Sequence, residues 1–453
     1  MSIFEKILDI YHKYHICVHC LGRMFSLLGT FTTNQERGYS LLLSMTMEYH
    51  RNYLIGDQET SNSIENLKIL AENGSFLPAQ KVLENEGLIS KTFMKSKICH
   101  LCHNIFNDLD KYVKRAAKKI ATSEFENILV GTKLETEITN NEDKFKAEFN
   151  LLQSENFKSH FNREVGKLLT DILDKPPEFI NPEITIIFNL SYDSFEIELL
   201  VRSLFIYGKY RKFLRGIPQT HWDCKKCLGK GCISCNFTGK QYNTSVEELI
   251  SPEFIKHSKS ETSKFHGAGR EDIDVRMLGE GRPFIIELIN PKIRSLNLNK
   301  IQKKVNKKNK KKVQIYDLKF TNKRHIIKLK SNAENTNKIY KALVYSEKRL
   351  SKEDFEKKEL ELRNNFENKK IQQKTPSRVA HRRANKVREK YVYNIKGKFI
   401  KPNIFEFIIE TQGGTYIKEL INGDDGRTKP SFSEIFGITL LCKKLDVLAI
   451  KKS

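Results

Sequence analysis

The sequence predicts an α+β protein, and three patterns support this fold class. Between residues 158 and 174, apolar side chains recur at the spacing of one helix face, and Asp174 followed by two prolines ends the segment. Residues 184–190 and 195–201 then alternate apolar and polar side chains around the turn SYDS, which is typical of a β-hairpin. From residue 245 to the end, strand and helix patterns alternate. With 453 residues, the chain is long enough for two or three domains.

The other segments are assigned from local composition. Residues 1–60 are predicted to be mainly helical, and residues 351–374 form a highly charged stretch that is also predicted to be a helix. The run KIQKKVNKKNKKK at 300–312 is typical of a solvated loop or a helix end, and it is also a candidate phosphate contact. The apolar residues Val313, Ile315, Leu318 and Phe320 predict a strand directly after it.

The charge of the chain points to a polyanionic partner. The formal net charge of +24 favours nucleic acid first and an anionic membrane surface second. A lysine-rich proteome from an AT-biased genome would produce the same charge, so this observation does not establish RNA binding by itself. No apolar run approaches the ~18 residues that a membrane helix needs. Glu5 and Asp9 interrupt the region where a signal peptide would be apolar, so we expect a cytoplasmic protein.

Eight of the nine cysteines form four C-x-x-C pairs, which predicts metal binding rather than disulfides in a protein without an export signal. The string CKKCLGKGCISC closes one site locally, within a knuckle at 221–240. Gly229 and Gly231 allow the sharp reversal between its two pairs. Four thiolates leave no open position on zinc, so this site is expected to be structural. Its ligands are Cys224, Cys227, Cys232 and Cys235.

The two N-terminal pairs are expected to form a second structural zinc site that joins distant parts of the chain. Its ligands would be Cys17, Cys20, Cys99 and Cys102. The neighbouring His19, His100 and His103 are alternative ligands, although solvent-exposed positions beside the site are the simpler expectation for them.

One glycine-containing acidic loop is the strongest candidate for chemistry. In FHGAGREDIDVRMLGEGRPFIIELINP, residues 265–291, Gly267 and Gly269 precede Arg270, Glu271 and Asp272, and a hydrophobic strand follows. Small residues before an acid let a ligand approach the backbone. Acidic loops are common, so this pattern alone does not identify a reaction.

Three further strings resemble the archaeal and eukaryotic tRNA pseudouridine-54/55 synthase family. They are NKIYKALVYS at 337–346, TPSRVAHRRANKVREK at 375–390 and TQGGTYIKELINGDDGRTKPS at 411–431. GIPQTHW at 216–222 and TSVEELI at 244–250 are similar to the same family. The resemblance covers residues 200–453 almost continuously. It implies a zinc-binding, THUMP-like RNA-binding region at 1–215 and a catalytic domain at 216–453, built on a mixed, largely antiparallel sheet.

The resemblance also implies roles for single residues. Asp272 takes the place of the catalytic aspartate and is the expected nucleophile, with Asp274 as the fallback. Tyr340 matches a tyrosine that packs on the uracil ring, and Lys418 matches the basic residue that pairs with the carboxylate. Residues around these motifs are expected to bind the substrate; they are Arg270, Arg276, Arg378, His381, Arg382, Arg383 and Tyr416.

The implied reaction isomerises uridine in the T arm of tRNA, at position 54, at position 55, or at both. It breaks the N1–C1′ bond, turns the base and rejoins it through C5, so no redox change and no catalytic cofactor is needed. The carboxylate could attack the sugar or the base, or remove a ribose proton, and the sequence does not choose between these routes. The expected partner is tRNA, with no membrane and no obligate protein partner.

Three other functions remain open at this stage. A zinc-containing RNA-binding protein without catalysis would have the same charge and cysteines. CKKCLGKG followed by CISCNFTG resembles two cysteine repeats of Hsp40-type chaperones, but only two repeats occur and no His-Pro-Asp tripeptide exists in the chain. A tRNA thiolation enzyme can carry a THUMP-type domain, but it would need a nucleotide-binding glycine-rich loop and a catalytic cysteine, and neither pattern is found.

Overall fold

The computed structural model describes residues 2–29, 31–56, 60–89, 97–152, 154–331, 336–382 and 384–452, with the backbone alone at 60, 381, 382 and 452. The chain divides into two compact units, residues 1–202 and 203–453. Each unit has its own hydrophobic core. None of the helices within these ranges combines the length and the apolar character needed to span a bilayer.

The first unit combines helices with one three-stranded sheet. Its helices are α1 (Ile3–Lys13), α2 (Val18–Met24), α3 (Asn34–Ile55), α4 (Thr60–Glu72), α5 (Leu77–Asn85), α6 (Asp110–Ile120), α7 (Thr136–Glu148) and α8 (Phe157–Leu173), and its strands are β1 (Ile128–Leu134), β2 (Ile184–Leu190) and β3 (Phe195–Val201). Strand β2 pairs parallel with β1 and antiparallel with β3. The predicted helix and hairpin are confirmed as α8, β2 and β3.

The second unit is built on a ten-stranded sheet. Its strands are β4 (Leu204–Lys212), β5 (Thr262–Gly267), β6 (Arg276–Ile289), β7 (Val313–Thr321), β8 (Thr336–Ser346), β9 (Lys369–Lys374), β10 (Val387–Lys401), β11 (Ile404–Gln412), β12 (Thr428–Lys429) and β13 (Leu440–Lys452). The helices are α9 (Val246–Ser258), α10 (Leu298–Lys308), α11 (Lys323–Ser331), α12 (Lys352–Phe366), α13 (Ile417–Asn422) and α14 (Phe432–Phe436). Short 3₁₀ turns occupy Ile105–Asn107, Ile233–Cys235 and Ser377–Arg382.

The order of the strands confirms the predicted mixed, largely antiparallel sheet. The path runs β12-β9-β10-β11-β8-β13-β6-β4-β7, and β5 pairs with β6 beside it. Of these pairings, β13 with β6 is parallel and the others are antiparallel. Strand β8, at the centre of the sheet between β11 and β13, carries the candidate residue Tyr340.

Two predicted boundaries differ from the structure. The division falls between residues 202 and 203 rather than 215 and 216, because β4 pairs with β6 and β7 and therefore belongs to the second sheet. The charged stretch 351–374 is helical only as α12, and its last residues form strand β9. There, burial of Ile371 and Gln373 against the sheet overrides the helical composition.

The lysine run at 300–312 is mostly helical. Ile301 and Val305 on α10 are fully buried, whereas Lys303 and Lys307 on the other face are exposed. The predicted strand follows as β7. Its alternation breaks after Ile315 because Asp317 adopts a positive φ of 55°, which shifts the register and leaves Phe320 exposed.

Candidate active site and metal clusters

The loop between β5 and β6 carries the candidate catalytic carboxylate. The two strands pair antiparallel, and residues 268–275 connect them. Asp272 lies on this loop with its side chain 33% exposed. Its Oδ2 atom lies 3.0 Å from Nη2 of Arg378 and 3.9 Å from Nζ of Lys418. Two cations from distant parts of the chain therefore face one carboxylate, and charge-assisted contacts of this kind orient it.

Lys418 contacts the neighbouring acid more closely than it contacts Asp272. Its Nζ donates to both carboxylate oxygens of Asp274 at 2.8 Å. Burial raises the pKa of Asp274, but the hydrogen bond and charge of Lys418 outweigh this effect, so the pKa lies below its ordinary value. Lys418 thus bridges the two candidate acids, and the shorter contact to Asp272 comes from Arg378, which the resemblance had assigned to substrate binding.

Arg378 is itself held by a buried acid on α13. Its Nε lies 2.6 Å from Oε1 of Glu419, whose residue is 3% exposed. Burial disfavours the guanidinium charge, but Glu419 and Asp272 together raise the pKa of Arg378 above its ordinary value. The short 3₁₀ turn that carries Arg378 is anchored by Ser377, whose backbone N–H donates to Oδ2 of Asp424 at 2.9 Å. The guanidinium is therefore positioned from two sides.

A buried polar network fixes the loop under Asp272. The hydroxyl of Tyr210 donates to the Glu271 carboxylate and lies 2.9 Å from both of its oxygens, and Nε of Arg282 lies 2.8 Å from the same carboxylate. Arg282 also donates to the backbone oxygen of Ala268 at 2.7 Å. Gln219 donates to the same tyrosine hydroxyl and to the backbone oxygen of Gly269. These contacts fix the backbone at Ala268 and Gly269 and the side chain of Glu271, which directly precedes Asp272.

Lys212 completes this network beneath the loop. Its side chain is fully buried, and its Nζ donates to the backbone oxygens of Ile217, Asp272 and Ile273 at 3.0, 3.3 and 3.2 Å. The carboxylate of Glu271 lies 4.0 Å away. Burial lowers the pKa of Lys212, and Glu271 opposes this effect. Because the amine binds the backbone oxygen of Asp272 itself, it helps to fix the position of the candidate nucleophile relative to the sheet.

Tyr340 lies on the core face of β8, next to the loop. It is 8% exposed, and Ala342 and Val344 continue the same face into the core. Burial raises the pKa of Tyr340 to about 12, and the charges of Arg282 and Asp272 are close enough to act on it. The hydroxyl therefore stays protonated at neutral pH, and the negative charge of Asp272 contributes to the raised pKa.

The predicted substrate-binding residues occupy different surroundings. Tyr416 is held by Gln373, which accepts from its backbone N–H and donates to its backbone oxygen. Arg270 is exposed, with its guanidinium 4.6 Å from the centre of the Trp222 ring. Arg276 makes a two-pronged ion pair with Asp446 across the parallel β6–β13 pair, with contacts of 2.8 and 2.6 Å. Its guanidinium is therefore engaged in the sheet rather than directed at Asp272.

Three of the predicted residues cannot be placed in this geometry. Arg383 lies outside the described residues, and so do the side chains of His381 and Arg382, whose backbone forms the end of the turn Ser377–Arg382.

The first unit contains one of two four-cysteine clusters. The sulfur atoms of Cys17, Cys20, Cys99 and Cys102 lie within 4.8 Å of one another. A tetrahedron of ~2.3 Å zinc–sulfur bonds requires sulfur separations of about 3.8 Å, and Sγ of Cys17 lies 3.6 Å from Sγ of Cys102. The four sulfurs could therefore hold one metal ion between α2 and the segment around residue 100.

The neighbouring histidines pack against aromatic rings rather than joining this cluster. His100 stacks on Tyr14 with ring centres 4.3 Å apart, and His103 stacks on Tyr192 at 3.6 Å. His19 faces Phe106 at 5.9 Å. Packing is therefore the role that the described residues support for all three.

The second cluster closes within the knuckle, as its spacing predicts. The sulfurs of Cys224 and Cys232 lie 3.9 Å apart, and those of Cys227 and Cys235 lie 3.8 Å apart. Gly231 has a φ of +92°, and a Cβ there would lie 2.9 Å from a backbone oxygen, so the reversal requires glycine. This site could also hold a metal ion.

Sequence patterns did not indicate the residues that support the site. Glu271 and Arg282 both lie in the string at 265–291, but nothing in their spacing reveals that they meet. Lys212 lies among basic and aromatic residues on β4, yet its side chain is fully buried. Glu419 follows the predicted Lys418 directly, and only the fold turns it towards Arg378. The available signal was an acid directly beside Asp272 and another directly beside Lys418.

Comparisons with known proteins match nearly the whole chain to one family. A family model described as Pus10, C-terminal, matches residues 205–451, and one described as Pus10 THUMP domain, archaeal, matches residues 112–189. The tRNA pseudouridine synthase Pus10 of Methanocaldococcus jannaschii is 41% identical over 447 residues, which cover 98% of this chain and 93% of that protein. The protein of the same name from Methanothermobacter marburgensis is 41% identical over 449 residues, covering 98% and 97%.

Proposed function

Because the chain belongs to the Pus10 family, we propose that it is a tRNA pseudouridine synthase that isomerises uridine at position 54, position 55 or both in the T arm. The observation that carries this proposal is the Asp272 carboxylate, held between Arg378 and Lys418 beside the buried ring of Tyr340. A detached uracil needs a carboxylate to act on it or on its sugar, and a flat surface to hold it while it turns.

Each residue of the site would have a distinct role in the reaction. Asp272 acts as nucleophile, or as base at the ribose, and Arg378 and Lys418 keep it oriented. Tyr340 packs on the uracil ring. The target uridine must leave its stack to reach this site, so the enzyme flips it into the cleft. Tyr416 and Arg270 lie in the same motifs and would contact the flipped nucleotide or its neighbours, and we also assign Arg276, His381, Arg382 and Arg383 to substrate binding.

The partner would be tRNA, which is recognised through phosphates and shape as well as base edges. The net charge of +24 and the exposed lysines of α10 support this partner. No protein partner is needed for the proposed reaction, and a tRNA substrate places the enzyme in the cytoplasm.

We further propose that both cysteine clusters hold zinc with structural roles. Four thiolates at tetrahedral spacing suit zinc and leave no position for substrate or water. No catalytic cofactor is required, because the isomerisation exchanges an N1–C1′ bond for a C5–C1′ bond without a change in oxidation state.

A position-mapped assay tests the proposal. Purified protein is incubated with unmodified tRNA transcripts, and pseudouridine is mapped by its reaction with a carbodiimide followed by primer extension. We expect product at position 54, 55 or both in the parent and none with Asp272→Asn. Tight tRNA binding without product at any position would instead identify a non-catalytic RNA-binding protein.

A further inference from the structure

A buried lysine lies beside Tyr340 and has no role in the site described so far. Lys338 lies two residues before Tyr340 on β8 and points to the same face of the sheet, because alternate residues of a strand share a face. It is 7% exposed. Among the described residues, no side chain or backbone group lies within hydrogen-bond or ion-pair distance of its amine. The residue is thus buried, although its amine is not among the fully buried polar atoms that lack a partner.

The residue opposite Lys338 has an unmatched polar group as well. Thr411 on β11 is its direct cross-strand partner, so both side chains project from the same face. Thr411 is fully buried, and its Oγ1 has no hydrogen-bond partner among the described residues. The next pairs along this face, Tyr340 with Ile409 and Ala342 with Phe407, are buried and mostly apolar. The two polar side chains without a partner among the described residues, Lys338 and Thr411, therefore lie side by side at one end of this face.

The charges around Lys338 are mainly positive. Burial and, to a smaller extent, the charges of Arg282 and Lys390 lower its pKa to about 8, while Glu271 opposes them. The amine of Lys390 is already engaged, because it donates to the backbone oxygen of Gly413 at 2.9 Å. The Glu271 carboxylate is already engaged by an ion pair with Arg282 and a hydrogen bond from Tyr210. Among these three cations, Lys338 is thus the one whose amine has no acceptor within the described residues.

We propose that Lys338 is a further catalytic residue, which donates a hydrogen bond to a carbonyl oxygen of the uracil held against Tyr340. This inference rests on the proposed function. A planar base lying on Tyr340 would bring its carbonyl edge over the adjacent residue of the same strand face. A phosphate is a poorer occupant, because it is bulky and strongly hydrated, whereas Lys338 is almost completely enclosed.

The chemistry explains why a cation is useful here. When the base is released, the N1–C1′ bond breaks and its electron pair stays on N1. The sugar carbon then either bonds to an oxygen of Asp272 or becomes part of a double bond after Asp272 takes a ribose proton. In both routes the free uracil carries one negative charge, shared by N1 and the carbonyl oxygens. An ammonium group at a carbonyl oxygen stabilises that charge.

The same contact permits the return step. C5 attacks C1′ with an electron pair of the uracil anion, and the Asp272 oxygen leaves or its proton returns to the ribose. C5 then loses its proton and N1 gains one, so atoms and charges balance. Lys338 is not consumed, and its contact is strongest while the base is detached. It should therefore affect the rate of the bound complex more than the affinity for tRNA.

The test compares Lys338→Met with Lys338→Arg and with Lys341→Met. Lys341 is a matched control because it lies on the opposite face of the same strand, paired with Glu406 at 2.7 Å. Single-turnover rates are measured with saturating enzyme, and affinity is measured separately by filter binding. We expect Lys338→Met to lower the rate by about 10²- to 10³-fold, with Kd changed by less than about threefold. Lys338→Arg should recover part of the rate, and Lys341→Met should match the parent.

The outcomes separate this inference from the proposed function. If the parent forms pseudouridine and Lys338→Met forms it at the same rate, the role of Lys338 is refuted while the function stands. Weaker tRNA binding with an unchanged single-turnover rate would also refute it, because that result belongs to a phosphate contact. If Lys338→Met does not fold, as judged by its melting temperature, Lys338→Gln is used for the same comparison. A parent without product at any position removes both proposals.

Discussion

Two aspartates that differ by two positions are distinguished by their surroundings. Asp272 faces Arg378 and lies above the network of Lys212 and Glu271, whereas Asp274 is 58% exposed and is bound by Lys418 through both oxygens. A carboxylate that must attack a reacting atom needs a fixed approach from a partly enclosed position. The geometry therefore favours Asp272 as the reactive acid, with Asp274 positioning Lys418.

The first prediction separates the two acids. Asp272→Asn should lower the single-turnover rate by at least about 10³-fold, because the amide is neither a nucleophile nor a base. Asp274→Asn should retain most of the rate, since Lys418 can still reach Asp272. tRNA affinity should change little in both variants, because binding depends mainly on phosphate contacts. The reverse order of activity would mean that Asp274 is the nucleophile.

The second prediction concerns the two cations at Asp272. Lys418→Met and Arg378→Met should each lower the rate by orders of magnitude, because each removes a charge that orients the carboxylate. Lys418→Arg should retain more activity than Lys418→Met. Arg378→Lys should retain little, because Arg378 binds Asp272 and Glu419 with different nitrogen atoms and an ammonium group cannot reproduce that fork. The rates are measured under single-turnover conditions. Parental activity of Arg378→Met would show that its contact is incidental.

At the scale of single elements, the β5–β6 loop depends on β4 for its shape. Lys212 and Tyr210 extend from β4 into the loop, where they bind backbone oxygens and the Glu271 carboxylate. A loop that carries a catalytic group needs such support, since otherwise its backbone would sample several conformations. The strand thus supports the loop, although none of its side chains is expected to touch substrate.

The third prediction tests this support. Glu271→Gln should destabilise the second unit by about 3–5 kcal/mol, because it leaves the buried Arg282 and Lys212 without their counter-ion. The rate of the folded fraction should also fall. Lys209→Met is the matched control on the same strand, because Lys209 faces outward to the exposed Asp317, and it should change stability by less than about 1 kcal/mol. Urea unfolding followed by circular dichroism measures the stability. An unaltered midpoint for Glu271→Gln would contradict the buried network.

The fourth prediction concerns helix α10. Ile301 and Val305 hold the helix against the second unit, so the exposed Lys303 and Lys307 should be available to phosphates. Replacing both with glutamine should weaken tRNA binding and reduce the slope of log affinity against log salt by roughly 0.7–0.9 for each phosphate that is no longer neutralised. The same change at the exposed Lys352 and Lys357 of α12, where acidic residues are interspersed, should leave the slope unaltered. Equal slopes for both pairs would make α10 a solvated face without a binding role.

At the scale of the whole molecule, the two units each contain one cysteine cluster. The first cluster joins α2 to a segment far along the chain, whereas the second closes a local knuckle. A metal in the first site therefore limits the freedom of a long loop, and a metal in the second shapes only its surroundings. Loss of metal should have different consequences in the two units.

The fifth prediction measures these consequences. Elemental analysis of purified protein should find two zinc ions per chain. Cys224→Ser should reduce the content to one and disturb the knuckle without removing catalysis, because a closed four-cysteine site has no position for substrate. Cys99→Ser should also reduce the content to one, and it should lower the melting temperature more strongly. A protein without any metal would exclude the proposed zinc sites.

Local patterns in the sequence determined much of this protein. Helical spacing, strand alternation and the C-x-x-C pairs predicted α8, the hairpin of β2 and β3 and both cysteine groups, and the structure agrees. The long motifs predicted the family, which the comparisons confirm. These properties depend on residues close together in the chain or on strings that can be recognised directly. Periodicity records which face of an element is buried, and cysteine spacing records a tight metal-binding turn.

Only the tertiary structure decided which charges meet. Arg378 approaches Asp272 because α13 and the turn before β10 are brought to the β5–β6 loop by the order of the strands. Lys338 and Thr411 meet because β8 and β11 pair in one register, and a shift of one residue would place them on opposite faces. Composition predicted exposed lysines, yet Lys212 and Lys338 are buried, since burial is set by neighbours that are distant in sequence. Side-chain partners across a sheet are a property of register and strand order, which no local pattern contains.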